Sequence, residues 1–586
     1  MHILGLSAMG HDSTAALLGD RGILAAIEEG KLERTRSFEG IPRAAIRYCL
    51  ERGGIDWAAL DCIAIASRPG RAFTRQSLLR ARLAPLAPVS SSYFLNKAFG
   101  ELGRELNNLR ILRDLAGKPE GRVESFDHHL CHAASAFYAS PFDSALIVTF
   151  DEHGDGRSGF AGLGGGTRIR ELDSIPFPHS LAWVYTQVTR LLGFRPRGDE
   201  HKTQWLSLTS EPVFAELFLE MLRSGANSPP HLNSKYVSRS FSVDQSFTPE
   251  FYRQLGIAPP SATSAEIKEP STSQRQPAFL NDSLRANIAA SLQQACTTIV
   301  CDWLEALRRT TKARSLCLAG GLFLNPLLVS AVERATGFDE VFVQPAAGNE
   351  GTSLGAAWLA WHQLFRKPRM EPMLSTYFGP SYSNQDIKTV LDNCKASYAW
   401  CDSDHHKIEE ALRLLEAGKI VAWFQSSAEF GPRALGNRSL LASPWAPYVK
   451  ENLNDFVKHR ESFRPFALSM PIEDAAEYFD CSANARFMTT MAVAKDKGVK
   501  LLESLPSGFL LPGKLVRLHT VSSAENPLFW KLLKRSGEKG RAPMLVNTSF
   551  NLFGEPLVIR PREAARSYFC SGADALIAGS FLLSKT

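Results

Sequence analysis

The stretch ALIVTFDEHGDGRSGFAGLGGGTRIRELDSI, Ala145–Ile175, decides the fold. An apolar run, ALIVTF, enters a polar, glycine-rich turn, DEHGDG, and reads as a strand. A second strand, SGFAGLGG, and a third, TRIRELDSI, follow. The chain opens with the same order of events. ILGLSA is an apolar strand, HDS is a polar turn, and STAALLGD and GILAAIEE are the next two strands. The two meanders start roughly 140 residues apart. Identity between them is low, so chance similarity competes with duplication.

A duplicated three-strand meander with a polar loop after its first strand suggests the actin-like ATPase architecture. Two related lobes there aim such loops at nucleotide phosphates across a cleft. The totals fit a multidomain chain. A length of 586 residues is too great for one core, and the length prior is about two to four domains. With 44% hydrophobic and 22% charged residues, the composition is that of a soluble globular protein. A net charge of +6 is too dilute over this length to point to nucleic acid or a membrane. The ten cysteines include no C-x-x-C pair, which leaves zinc knuckles and thioredoxin-like chemistry without support. Cys296 and Cys301, in ACTTIVCDWL, read as core, and buried free thiols suit a reducing compartment. The chain starts directly on a strand without a basic leader, and no apolar run reaches membrane-spanning length. The expected location is cytoplasmic.

Further along, residues 226–275 are rich in Ser, Pro and Thr and read as a long surface excursion. Helical periodicity resumes in SLRANIAASLQQACTTIVCDWLEALRR. LCLAGGLFLN then gives a strand and glycine turn, and VFVQPAAGNEGTSLGAAWLAW gives strand, glycine loop and helix. KPRMEPML, Lys367–Leu374, reads as a linker. This divides the chain into residues 1–366 and a mixed α+β region, 375–586.

Several residues invite chemistry. His128 and His132 are four apart, so a helix places both rings on one face. With Asp151 at a strand end they offer two imidazoles and a carboxylate, a set suited to iron(II), zinc or manganese. The competing reading is a helix start capped by Asp127 with solvated histidines. His129 points elsewhere on that helix. The loops His11-Asp12-Ser13 and Asp151–Asp155, the Gly320-Gly321 pair, and Gly348 and Gly351 around Asn349 suit phosphates and their metal ions, though ordinary turns look the same. In the second half, Arg433, Arg438, Lys458, Arg460 and Arg464 lie in motifs punctuated by glycine, proline or phenylalanine. Arginine forks grip phosphate bidentately. Asn547, Thr548, Ser549 and Asn551 add neutral hydrogen-bonding groups. Apolar neighbours in GPRALGNRS and FRPF favour an anion pocket over a solvated basic face.

HDSTAALL, HHLCHAASAFYAS, LCLAGGLFLN, GNEGTSLGAA, EFGPRALGNRS, RESFRPF and VNTSFNLFGEP, in this order, resemble the O-carbamoyltransferases of nodulation and antibiotic tailoring. The likeness runs from about residue 3 to 582. It implies an N-terminal actin-like (ASKHA) domain similar to tRNA threonylcarbamoyl-transfer proteins, and an α+β YrdC-like C-terminal domain. The second domain of such enzymes makes carbamoyl-adenylate from carbamoyl phosphate and ATP, releasing pyrophosphate. The first moves the carbamoyl group to a hydroxyl of a small-molecule alcohol, releasing AMP.

The implied cofactors are ATP with Mg(II) and Fe(II) or another divalent transition metal. The implied metal ligands are His128, His132, Asp151 and Asn349, the last standing where the family has aspartate. His11 and Asp12 match the transfer centre. Lys202, Gly320, Gly321 and Asn325 match the nucleotide site of the first domain. Arg433, Arg438, Lys458, Arg460, Arg464, Asn547, Ser549 and Asn551 fall on motifs of the second. Ser426-Ser427 replaces the family's Gly-Arg, and LLPGKLVR lacks an acidic residue. The alternatives are an actin-like small-molecule kinase and a catalytically impaired family member. No nucleic acid or membrane partner is expected, and a homodimer is compatible with the chain. Segments 69–118 and 226–275 are the expected acceptor-shaping regions.

Overall fold

The computed structural model describes residues 1–8, 10–68, 103, 106–115, 121–223, 225, 227–238, 246–259, 280–538 and 540–585. The first meander is β1 (His2–Ser7), β2 (Thr14–Gly19) and β3 (Gly22–Glu28); β4 (Cys62–Ile65) and β5 (Arg122–Ser125) complete its sheet. The second is β6 (Ser144–Gly154), β7 (Arg157–Gly165) and β8 (Arg168–Pro176), completed by β9 (Ser315–Ala319) and β10 (Glu340–Val343). The orders are β3-β2-β1-β4-β5 and β8-β7-β6-β9-β10. Both meanders are antiparallel, and both first strands pair in parallel with the strand on their other side. The sheets are therefore topological copies, and the actin-like reading holds. β1 and β6 are central strands covered on both faces, which is why they read as unbroken apolar runs.

Two short helices lie between the sheets. Asp127 caps α1 (His128–Phe137), its carboxylate accepting from the Leu130 amide at 3.1 Å. The other helix, α3 (Thr352–Leu359), follows a long α2 (Asp282–Thr311) in the chain and is buried along its whole length. Glycines set how close these parts come. A Cβ on Gly5 of β1 would lie 1.9 Å from the Ser353 carbonyl, and one on Gly355 would lie 1.8 Å from the Cys131 carbonyl. The helix thus touches the first sheet and α1 backbone to backbone.

The C-terminal region is α+β. An eight-stranded mixed sheet is built around Val421–Phe424, Arg438–Ala442 and Leu545–Ser549, beside a three-stranded sheet. It docks on the first region through buried charge. Lys31 donates to the carbonyls of Glu429 (2.8 Å) and Gly431 (2.7 Å) and pairs with Glu28 at 2.9 Å. Arg34 binds the carbonyls of Pro556 and Leu557 and the Glu555 carboxylate. Glu333 accepts from Ser482, Asn484 and Thr490.

Expectation and structure differ in the 226–275 segment. Where it is described it is not a loose excursion: Tyr236, Phe247 and Phe251 are buried in the core of the second sheet's region. Their aromatic side chains supply the burial that the Ser- and Pro-rich surroundings conceal. The remainder of that segment, and most of 69–118, lies outside the described residues. Among the described residues no helix is long and apolar enough to cross a membrane.

A methyl group at Gly355 has nowhere to go, since the atoms it would meet are all backbone of Cys131. Overpacking of this kind costs about 1–3 kcal/mol. Gly355→Ala is expected to lower the thermal midpoint by several degrees in calorimetry, whereas Gly165→Ala, with open space around it, leaves it unchanged.

Candidate active site

β6 ends where α1 begins, and that junction brings together the three expected ligands. His128 Nε2 lies 3.3 Å from Asp151 Oδ2 and 3.1 Å from His132 Nε2. His132 Nε2 is 3.6 Å from the same carboxylate oxygen. Among the described residues this trio is the only group of three or more metal-ligating side chains within mutual reach. Two ligands about 2.1 Å from one tetrahedral ion stand roughly 3.4 Å apart, so the spacings suit a shared cation. The His128 Nδ1 side faces the Ala66 carbonyl at 3.4 Å, which turns Nε2 inward as a lone pair. Burial depresses His128, but the Asp151 carboxylate outweighs it and raises the ring. His132 is driven down by burial, against the pull of Asp151 and Asn349. Burial opposes ionisation of Asp151, yet the two imidazoles hold it well below the usual carboxylate range. His129 is fully buried, bonds Thr149 Oγ1 at 2.8 Å and is pushed down to about 3 by burial, so it has a packing role.

Asn349 closes the group. Its Nδ2 faces the His11 ring at 3.3 Å and the His11 carbonyl at 3.4 Å. Its Oδ1 is buried and has no hydrogen-bond partner among the described residues. The Asn349 side chain also acts on His132, so its amide oxygen is the candidate fourth, neutral donor of the group. His11 in turn bonds Asp12 at 2.7 Å; burial opposes its protonation, but that carboxylate lifts it to about 9. Asp12 sits in the left-handed region at φ 59°. The Gly321 amide donates to Asp151 Oδ1 at 3.3 Å, and Gly320, at φ 98°, passes so close to Phe150 that a Cβ would meet its carbonyl at 2.1 Å. The glycine pair therefore belongs to the wall of the metal group.

A second focus is a crowd of cations. Arg433, Lys458, Arg460 and Arg464 depress one another, together with three residues that the sequence reading passed over: Arg36, His201 and Arg517. Burial first, then the neighbouring Arg464, pulls Arg460 down to about 9 and Arg433 to about 10. Among the described residues the counter-charge is Asp199, which acts on Arg36 and Arg464, Glu350, which acts on Arg433, and Glu461. Glu461 lies 3.7 Å from Arg464 and is already held by Lys202 at 2.9 Å. Arg460 Nη2, Arg464 Nε, Arg517 Nε and His201 Nε2 are buried without hydrogen-bond partners among the described residues. Lys458 ends a π-helical turn and is held by Asn551 Oδ1 at 2.7 Å and by the Ser549 carbonyl. Ser549 also donates to Asn551 at 2.8 Å. Arg36 lies in ERTRSF, which has no glycine or proline to mark it; His201 is next to Lys202 and Arg517 ends LLPGKLVR, stretches singled out for other residues.

Other expected residues are committed elsewhere. Arg438 is fully buried, stacks 3.9 Å over Phe424 and donates to the carbonyls of Pro380, Gln425, Ser426 and Asn437. Asn325 caps the helix Pro326–Ala335 and bonds Gln293 at 2.7 Å. Asn547 is buried against Ser469 and His519. Lys202 bridges Asp199 at 3.0 Å and Glu461, joining the two regions.

Two family models cover most of the chain: one described as carbamoyltransferase N-terminus matches residues 2–358, and one described as carbamoyltransferase C-terminus matches 412–585. The chain belongs to the carbamoyltransferase family. It is 31% identical to an uncharacterized protein of Synechocystis sp., over 100% of this chain and 97% of that one. It is 31% identical to nodulation protein NolNO of Sinorhizobium fredii, over 98% of this chain and 79% of that one. It is 28% identical to the 3'-hydroxymethylcephem-O-carbamoyltransferase of Amycolatopsis lactamdurans, over 45% of this chain and 48% of that enzyme.

In this carbamoyltransferase the donor set fits a divalent transition metal. Replacing the neutral Asn349 with a carboxylate adds a negative ligand, and ligand charge raises cation affinity. Asn349→Asp is expected to tighten Co(II) or Zn(II) binding at least about tenfold in chelator competition. His128→Ala with His132→Ala is expected to abolish it. Full metal content in that double variant would overturn the ligand assignment.

Proposed function

We propose that this carbamoyltransferase is an ATP-dependent O-carbamoyltransferase acting in two steps on a small-molecule alcohol. The observation that supports the first step is the half-buried cation crowd, for which the described residues supply too little counter-charge. Such a group is stabilised by a polyanion, and ATP with carbamoyl phosphate supplies one. Balance requires that carbamoyl phosphate, water and ATP give carbamoyl-adenylate, phosphate and pyrophosphate, with Mg(II) accompanying the nucleotide. Arg433, Lys458, Arg460, Arg464 and Arg517 hold the phosphate oxygens and neutralise charge that builds on the leaving groups. Ser549 and Asn551 hold the Lys458 ammonium in place.

In the second step the acceptor hydroxyl forms a bond to the carbamoyl carbon, the bond from that carbon to the AMP oxygen breaks, and AMP leaves. His11, hydrogen-bonded to Asp12, would move the hydroxyl proton. An iron(II) or similar ion held by His128, His132, Asp151 and Asn349 would act as a Lewis acid toward the carbamoyl oxygen or the hydroxyl. The cation crowd draws Arg36 and His201 from residues 1–366 and the others from 375–586. A reactive mixed anhydride would therefore form beside the transfer centre, away from bulk water.

The test is pyrophosphate release. The wild type is expected to release it from ATP only when carbamoyl phosphate is present. Arg460→Ala is expected to slow that release by about a hundredfold, in the range for loss of one preorganised electrostatic group. His132→Ala is expected to keep it and to lose AMP-releasing transfer to an alcohol. Release of ADP with a sugar, independent of carbamoyl phosphate, would instead identify a kinase.

A further inference from the structure

The turn between β6 and β7 lies next to the metal group. Its two central residues, Asp155 and Gly156, have φ of 50° and 78°, and the flanking Gly154 and Arg157 pair, as in a two-residue type I′ hairpin. Asp-Gly satisfies such a turn without help from its side chain. Here the Asp155 carboxylate nevertheless reaches back to α1 and is buried. Oδ2 accepts from the His128 amide at 2.8 Å and from the Arg68 amide at 3.1 Å, and Oδ1 accepts from Ser67 Oγ at 3.2 Å. One side chain thus ties the first residue of α1 and the chain after β4 to the end of the strand that carries Asp151.

Gly154 acts on the same ligand from the other side. A Cβ there would fall 2.0 Å from His128 Cδ2 and 2.8 Å from its Nε2. The imidazole rests directly on the glycine backbone. Backbone and ring of His128 are therefore both located by this turn, and neither Asp155 nor Gly154 belongs to the converging donor set.

We propose that Asp155 and Gly154 are positioning residues of the metal centre: Asp155 fixes the backbone of His128 by charge-assisted hydrogen bonds, and Gly154 provides the space its ring needs to face Asp151 and His132. The proposal rests on metal binding by the His128, His132 and Asp151 group and on no other part of the reading above.

Asp155→Asn isolates the carboxylate, because Asn-Gly is at least as good a type I′ turn as Asp-Gly. Dissociation constants for Co(II) and Zn(II) are measured by chelator competition on the full chain, with the Co(II) d–d spectrum as a report of geometry. Loss of an outer partner of a metal ligand lowers affinity about ten- to hundredfold. That fall, with an altered Co(II) spectrum, is expected for both Asp155→Asn and Gly154→Ala. In a His128→Ala background, Asp155→Asn is expected to weaken binding no further, since it acts through that ring. Wild-type affinity and spectrum in both variants would overturn the proposal. So would an additional loss in the His128→Ala background, or a wild-type chain that binds neither ion. Gly154→Ala carries the test if Asp155→Asn does not fold. Pyrophosphate release by the wild type is scored separately, and its absence would sink the two-step reading while leaving this result standing.

Discussion

The molecule depends on one close packing constraint, the passage of α3 between β1 and α1. Helices with ordinary side chains pack with axes about 8–10 Å apart. Gly5 and Gly355 let backbone meet backbone, and the loop before α3 is drawn in with it. That loop carries Asn349 to His11, and Thr14 Oγ1 fixes it by donating to the Glu350 carbonyl at 2.9 Å. The same helix backs α1, whose other face presents His128 and His132 to Asp151. Candidate ligands from three separate stretches, α1, β6 and the loop before α3, converge because two glycines allow the layers between them to close up.

Buried charge does the joining work between the two regions, and it does so unevenly. At the Lys31 clip each charged group has partners: Glu28 and two carbonyls hold the ammonium, while Oε1 of Glu429 accepts from the amides of Leu435, Asn437 and Arg438; the second oxygens of Glu28 and Glu429 are buried without one among the described residues. This arrangement fixes the loop that carries Arg433. A few residues away the cations of the second focus lack such compensation. A half-buried, incompletely neutralised cluster of like charge is costly. Its retention is best explained by a ligand that brings the missing negative charge.

How much of the site was legible depended on the spacing that carried it. His128 and His132 share one helical turn, so the sequence already placed them on one face, and the end of an apolar strand located Asp151. Both nucleated correctly because helix and strand periodicities are local. The arginine motifs were visible through the apolar and glycine residues around them. Their division of labour was not: Arg433 and Arg438 share one motif, yet one faces the cation crowd and the other is spent on four carbonyls. Arg36, His201 and Arg517 escaped notice because only tertiary contact makes them neighbours.

By itself the sequence determined the duplicated meanders, since alternation of apolar strands with polar turns is written residue by residue. It also determined which residue types could bind a metal or a phosphate, through their donor atoms and charge. Tertiary structure decided which of them converge. It turned the glycine pair at 320–321 into a wall of the candidate metal group, made a turn aspartate the anchor of His128, and left the Asn349 oxygen buried without a hydrogen-bond partner among the described residues. These outcomes depend on backbone approaches of less than a side chain's width between segments far apart in the chain, and no local pattern encodes such distances.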